Sequence, residues 1–197
     1  DPADLTFTVT WIGFWFNIPG VTLDPTETVG GFIDGGADVI LSGIDTTEAI
    51  DVAGQRAAQG DAVWAIPYDF AGAREQAPEI CLGVPYFNWG PAYLKTVLAV
   101  QDGTWVSSWD WNAPNWANLT DNDTTAAGWI NGPALTPEMQ ANLDLFIAGL
   151  ASGEINVWTG PINLQDGTVY LADGVVATDE QVWYLPQLLE GMIGPSE

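Results

Sequence analysis

The side chains able to do chemistry in this sequence are carboxylates and indoles: 26 Asp and Glu and 11 Trp, against three cations, one cysteine and no histidine. Without histidine, the commonest general base near neutral pH and the commonest metal ligand are both missing, which excludes histidine-based triads and histidine-ligated zinc sites. No G-x-S-x-G elbow, no G-x-x-x-x-G-K-[ST] phosphate loop and no strand-linked G-x-G-x-x-G occurs. Two carboxylates could still hydrolyse glycosides. The run Asp121-Asn122-Asp123-Thr124-Thr125 has some oxygen ligands of a calcium loop, yet it lacks that loop's later Gly and its closing Glu, so it reads as a polar surface loop. The expectation is a protein that is not an enzyme and uses neither metal nor cofactor.

Binding residues can be chosen by another rule. Ligands of open parallel sheets sit beyond the carboxyl ends of the strands. Three such ends fall at Trp15-Phe16-Asn17, at Gly43-Ile44-Asp45-Thr46 and at Tyr68-Asp69. A flat aromatic face beside an acceptor suits a planar ring bearing N–H or hydroxyl groups. The same residues have plainer uses: Trp15 and Tyr68 could be core aromatics, Asp69 could cap a helix, and Asp45 could do either job.

The elements that must hold these residues follow from the hydrophobic pattern. Phe7 to Trp15 is nearly all apolar or β-branched, as in a buried parallel strand. Asp24 and Pro25 open a helix that Gly35-Gly36 closes, and Ala37 to Leu41 is the next strand. Asp45 and Thr46 can cap a helix from Thr47 to Gln59, and Val63 to Tyr68 forms the third strand. Strand and helix alternating over short connections predicts an α/β fold, a parallel sheet with flanking helices. Ile80 to Val84 is a possible fourth strand. A helix follows from Asn88 to Gln101, with Trp89, Tyr93, Val97 and Val100 inward. Beyond a loose span from Asp102 to Pro133, the pattern predicts a helix from Thr136 to about Ser152. Short strands at Val157 to Gly160 and Thr168 to Leu171 flank the turn Gln165-Asp166-Gly167. Thr178 and Gln181 form a capping box for a last helix.

Composition narrows the setting. A formal net charge of −23 repels phosphate, so nucleic acids and anionic membrane surfaces are poor partners. No apolar run is long enough to cross a bilayer, and the start at Asp1-Pro2 reads as that of a mature or truncated product. Cys81 lies between Ile80 and Leu82 and suits a small buried hydrophobe. Asn118 and Asn122 each begin an N-x-[ST] triplet that could accept a glycan.

Several stretches also occur in a telling order: Trp11 to Asn17, Gly36 to Ile40, Ala65 to Asp69, Gln76 to Glu79, Asn88 to Tyr93, Asp102 to Trp105, and Val157 to Ile162 with Gln165-Asp166-Gly167. Together they resemble the basic membrane protein (BMP) family of solute receptors, from the middle of that fold to its end. The resemblance implies the C-terminal lobe and crossovers of a type I periplasmic-binding-protein-like fold. Residues 1–85 would be the ligand-binding lobe, residues 86–197 the crossover helices and C-terminal extension, and the family's first lobe would be absent. It further implies a cleft in which Trp15 stacks on a purine or similar ring while Asp69 binds polar ligand atoms, with Phe16, Asn17, Asp45 and Tyr68 around them. The implied partners are a purine-like small molecule, the membrane subunits of an ABC-type importer and, in one form of the reading, a separate chain supplying the missing lobe. The implied location is extracytoplasmic, with a lipid anchor on the missing part. Two departures stand out: Ala71 replaces a second carboxylate, and Tyr86-Phe87-Asn88 replaces a cationic segment. Both favour a bare base, or another flat and more apolar ligand, over a nucleoside. A rival reading makes the lobe an assembly module. A third, drawn from Trp105, Trp109, Trp111, Trp116 and Trp129, makes the chain a carbohydrate-binding module.

Overall fold

The computed structural model describes residues 4–196; the expectation placed on Asp1-Pro2 lies outside them. The fold is mixed α/β, with a parallel strand pair flanked by helices. Its first half follows from local chemistry. Asp24 caps helix α1 (Pro25–Asp34), its carboxylate accepting from the backbone N–H of Thr26 at 2.8 Å, and Pro25 fills a first-turn position where no N–H is needed. Strand β1 (Val39–Leu41) follows, then helix α2 (Glu48–Ala58), then strand β2 (Trp64–Ile66). β1 and β2 pair in parallel, with Val39 opposite Trp64 and Leu41 opposite Ile66. Arg56 of α2 bridges the carboxylates of Asp34 and Asp61, so one guanidinium ties the ends of α1 and α2 together.

The core lies between the helices and one face of this strand pair. Val29 and Ile33 of α1, Ala49, Ile50 and Ala53 of α2, Ile40 of β1 and Ala65 of β2 are all buried together. Strand β3 (Gly83–Phe87) runs beside β2 through the bridges Ala65 to Cys81 and Asp69 to Tyr86, both parallel. Strand β4 (Ala127–Asn131) closes on β3 in antiparallel register. Cys81 is buried, and burial pushes its thiol pKa up, in keeping with an inert apolar position. Helix α3 (Gly90–Gln101) follows β3, and helix α4 (Pro137–Ser152) follows β4.

Two compact units emerge: the chain up to Ser108 with Asn112–Leu143, and Trp109–Trp111 with the chain from Asp144 on. In the second, strands β5 (Ile162–Asn163) and β6 (Val169–Leu171) form a small antiparallel hairpin around Gln165-Asp166-Gly167, with Leu164 and Leu171 buried. Helix α5 (Asp179–Trp183) opens with the expected capping box between Thr178 and Gln181.

Several expectations need correction. Phe7 to Trp15 forms no strand: Phe7, Val9, Trp11 and Trp15 are exposed, and of this run Ile12 alone is buried. Apolar, β-branched residues suit a strand, but a strand requires a neighbour, and here β1 and β2 pair directly with one another. Helix α3 turns no residue inward; Trp89, just before it, and Tyr93, Val97 and Val100 within it are all exposed. Asp45 and Thr46 do not cap α2. The N-cap is Thr47, whose hydroxyl donates instead to Asp51 at 2.9 Å. The fourth strand starts three residues late, at Gly83, and the strand expected at Val157 to Gly160 forms at Ile162–Asn163.

Candidate functional site

The connection leaving β1 and the one leaving β2 emerge side by side, because parallel strands point the same way. The first carries Asp45 and Thr46, the second Tyr68 and Asp69. Tyr68 is half-buried, and its phenol pKa is raised, first by burial and then by the charges of Asp69 and Asp45. Both carboxylates therefore lie near one hydroxyl that stays protonated.

Asp69 is held unusually. Its φ is +81°, the sole positive φ among described residues other than glycine, and the N–H of Phe70 bonds to the carbonyl of Tyr68 at 3.2 Å. This is a γ-turn centred on Asp69, a strained form. It persists because the Asp69 carbonyl accepts the Phe87 N–H at 3.0 Å, which fastens the turn to β3. Asp69 is thus not a helix cap; the 3-10 helix Ala71–Glu75 that follows has Phe70 at its N-cap, with no side-chain bond.

The Trp15 segment joins the same end of the sheet through its backbone: the Asp45 N–H donates to the Trp15 carbonyl at 2.8 Å. The Trp15 indole is exposed rather than in the core. Phe16 packs edge-on against Phe14 with ring centroids 5.0 Å apart. Asn17 is occupied locally, its amide reaching Asp24 and its carbonyl accepting from the Thr22 hydroxyl at 3.2 Å. Trp15, Asp45, Tyr68 and Asp69 therefore gather at one edge, while Asn17 serves its own turn.

Two features escape the strand-end rule. Phe87 packs edge-on against Tyr68 at 5.7 Å, Trp89 lies 5.4 Å beyond Phe87, and Tyr93 stacks on Trp89 at 6.0 Å, giving a row of four aromatics that leads away from Asp69. The alternation of Phe87 and Trp89 at the end of β3 was the available signal. In addition, the Thr46 hydroxyl and one carboxylate oxygen of Glu48 are buried with no hydrogen-bond partner. Such atoms are uncommon in folded proteins. These two sit on the loop leaving β1 and at the start of α2.

No family model matches the chain. It is 33% identical over 159 residues to a purine-binding protein of Brucella abortus, a match that covers 80% of this chain and 40% of that protein. The two are homologous. A solved ABC transporter solute-binding protein from Conexibacter woesei overlays with a TM-score of 0.43 at 22% identity, over 67% of this chain and 41% of the other. The chain therefore spans about two fifths of the length of either protein.

Proposed function

We propose that this chain is one lobe of an extracytoplasmic solute receptor, binding a purine-like flat compound at the carboxyl ends of β1 and β2 and catalysing no reaction. The observation that carries this reading is the convergence of Asp45, Tyr68 and the strained Asp69 beside the segment bearing an exposed Trp15. The homology to a purine-binding protein supports it. In this account the Trp15 indole stacks on the ring, and the carboxylates of Asp69 and Asp45 accept its N–H groups. The protonated Tyr68 hydroxyl donates to a ring nitrogen. The unpaired Thr46 hydroxyl supplies a further polar contact. A second lobe, on the same polypeptide or another, closes over the exposed side of the ring, and the loaded receptor passes its ligand to the membrane subunits of an ABC-type importer.

Free bases are the preferred ligands. Ribose hydroxyls call for additional polar side chains, whereas Ala71 stands two residues beyond Asp69 and the Phe87 ring packs against Tyr68. Calorimetric titration with adenine, guanine and hypoxanthine, each against its riboside, tests this. The bases should bind more tightly, and Asp69→Ala should abolish the heat while leaving the circular dichroism unchanged. Ribosides that bind far more tightly would sink the preference; no binding of either class would sink the site.

One observation favours an assembly role alongside ligand capture. Helix α3 is apolar around much of its circumference, yet none of its residues is buried. A helix of this composition normally lies inside a protein. That surface, and the apolar face of the strand pair formed by Val39, Leu41 and Trp64, are where we place an assembly partner.

A further inference from the structure

Three indoles of the second unit meet at steep angles. Trp109 and Trp111 come from a loop, and Trp183 is the last residue of α5. Trp183 lies 5.7 Å from Trp109 and 5.6 Å from Trp111, centroid to centroid, with interplanar angles of 72° and 76°. Trp109 and Trp111 are 6.3 Å apart and inclined at 47°. Packing against one another has not removed them from water: Trp109, Trp111 and Trp183 remain 63%, 46% and 59% exposed. The mount is firm. The capping box fixes the start of α5, and the Tyr170 hydroxyl of β6 donates to the Gln181 carbonyl at 2.6 Å.

Charge says what such a cluster would take. Arg56, Arg74 and Lys95, all the cations of the chain, belong to the first unit, so every charged side chain in the second is a carboxylate. Asp179 and Glu180 precede Trp183 by one helical turn and share its side of α5. The negative faces of the indoles add to this field. We propose that Trp109, Trp111 and Trp183 form a binding site for an organic ammonium cation of the quaternary or methylated kind, separate from the purine site. Three rings set at steep angles to one another, each about half or more open to water, offer π surface in more than one direction, which suits a compact cation. A sugar would need a flat platform, which these rings do not make.

The test is a titration of the isotope-labelled chain with choline, read on the indole N–H resonances at constant ionic strength. Its uncharged carbon isostere, dimethylbutanol, runs in parallel. Choline should shift the resonances of these three residues along saturating curves, and the isostere should bind at least about fivefold more weakly. Trp111→Leu and Trp183→Leu should each weaken choline at least about fivefold with unchanged circular dichroism. Should Trp183→Leu unfold α5, Trp111→Leu, which lies in a loop, decides the matter. Equal binding of the isostere, a response to cellobiose but not to choline, or undiminished affinity in Trp111→Leu would each overturn the proposal. Purine titration reads other resonances, so failure at one site leaves the other untouched.

Discussion

A side chain other than glycine at φ +81° is strained, and Asp69 keeps that conformation at the carboxyl end of β2 beside Tyr68. If the carboxylate is held there for binding, its removal should relieve the backbone. Asp69→Gly is expected to raise stability by about 1 kcal/mol, measured by chemical denaturation, while purine binding is lost. A variant that is both less stable and still competent to bind would show that Asp69 serves the fold. Tyr68 gives a second residue-level test. Its folded pKa is raised, so the neutral phenol is favoured in the native state. The stabilisation it gives is complete below tyrosine's ordinary value of 10.0 and is lost as pH rises through the higher folded value. Spectrophotometric titration should find a tyrosine ionising above the ordinary value that is missing from the Tyr68→Phe variant, and Asp69→Asn should bring it earlier.

At the scale of elements, the sequence was most legible where a local signal sufficed. Asp24-Pro25 opens α1 and the Thr178 capping box opens α5, as expected. What escaped it depends on neighbours. The Phe7 to Trp15 run has the composition of a strand but lacks a partner, and α3 has the composition of a buried helix but lacks a cover. The sequence pattern put Asp45, Tyr68 and Asp69 just beyond strand ends, where the fold has them, while the γ-turn and the row from Phe87 to Tyr93 needed tertiary contacts to be seen. The β3–β4 pairing owes its closeness to glycine. A Cβ on Gly83 would come within 2.0 Å of the Trp129 ring, and one on Gly132 within 2.0 Å of the Cys81 carbonyl oxygen. Gly83→Ala should therefore cost about 1–3 kcal/mol by thermal denaturation, through displacement of Trp129. Because β3 also holds the Asp69 turn, ligand affinity should fall with it.

For the whole molecule, two surfaces stand out, one charged and one apolar. The net charge of −23 gives the chain a negative field, suited to solubility and to cationic ligands and unsuited to nucleic acid. The uncovered face of β1 and β2, with α3, is apolar, whereas parallel sheets are normally covered on both faces. Contact with a base at the strand ends is local, so the decisive measurement must report on individual residues. Nuclear magnetic resonance of the labelled chain during titration with hypoxanthine meets that need. If the base binds at the strand ends, the Trp15 indole N–H and the Asp45, Tyr68 and Asp69 amides should shift saturably, and these shifts should be absent in Asp69→Ala. Shifts confined to other residues, or an unmoved Trp15 at saturating base, would contradict it.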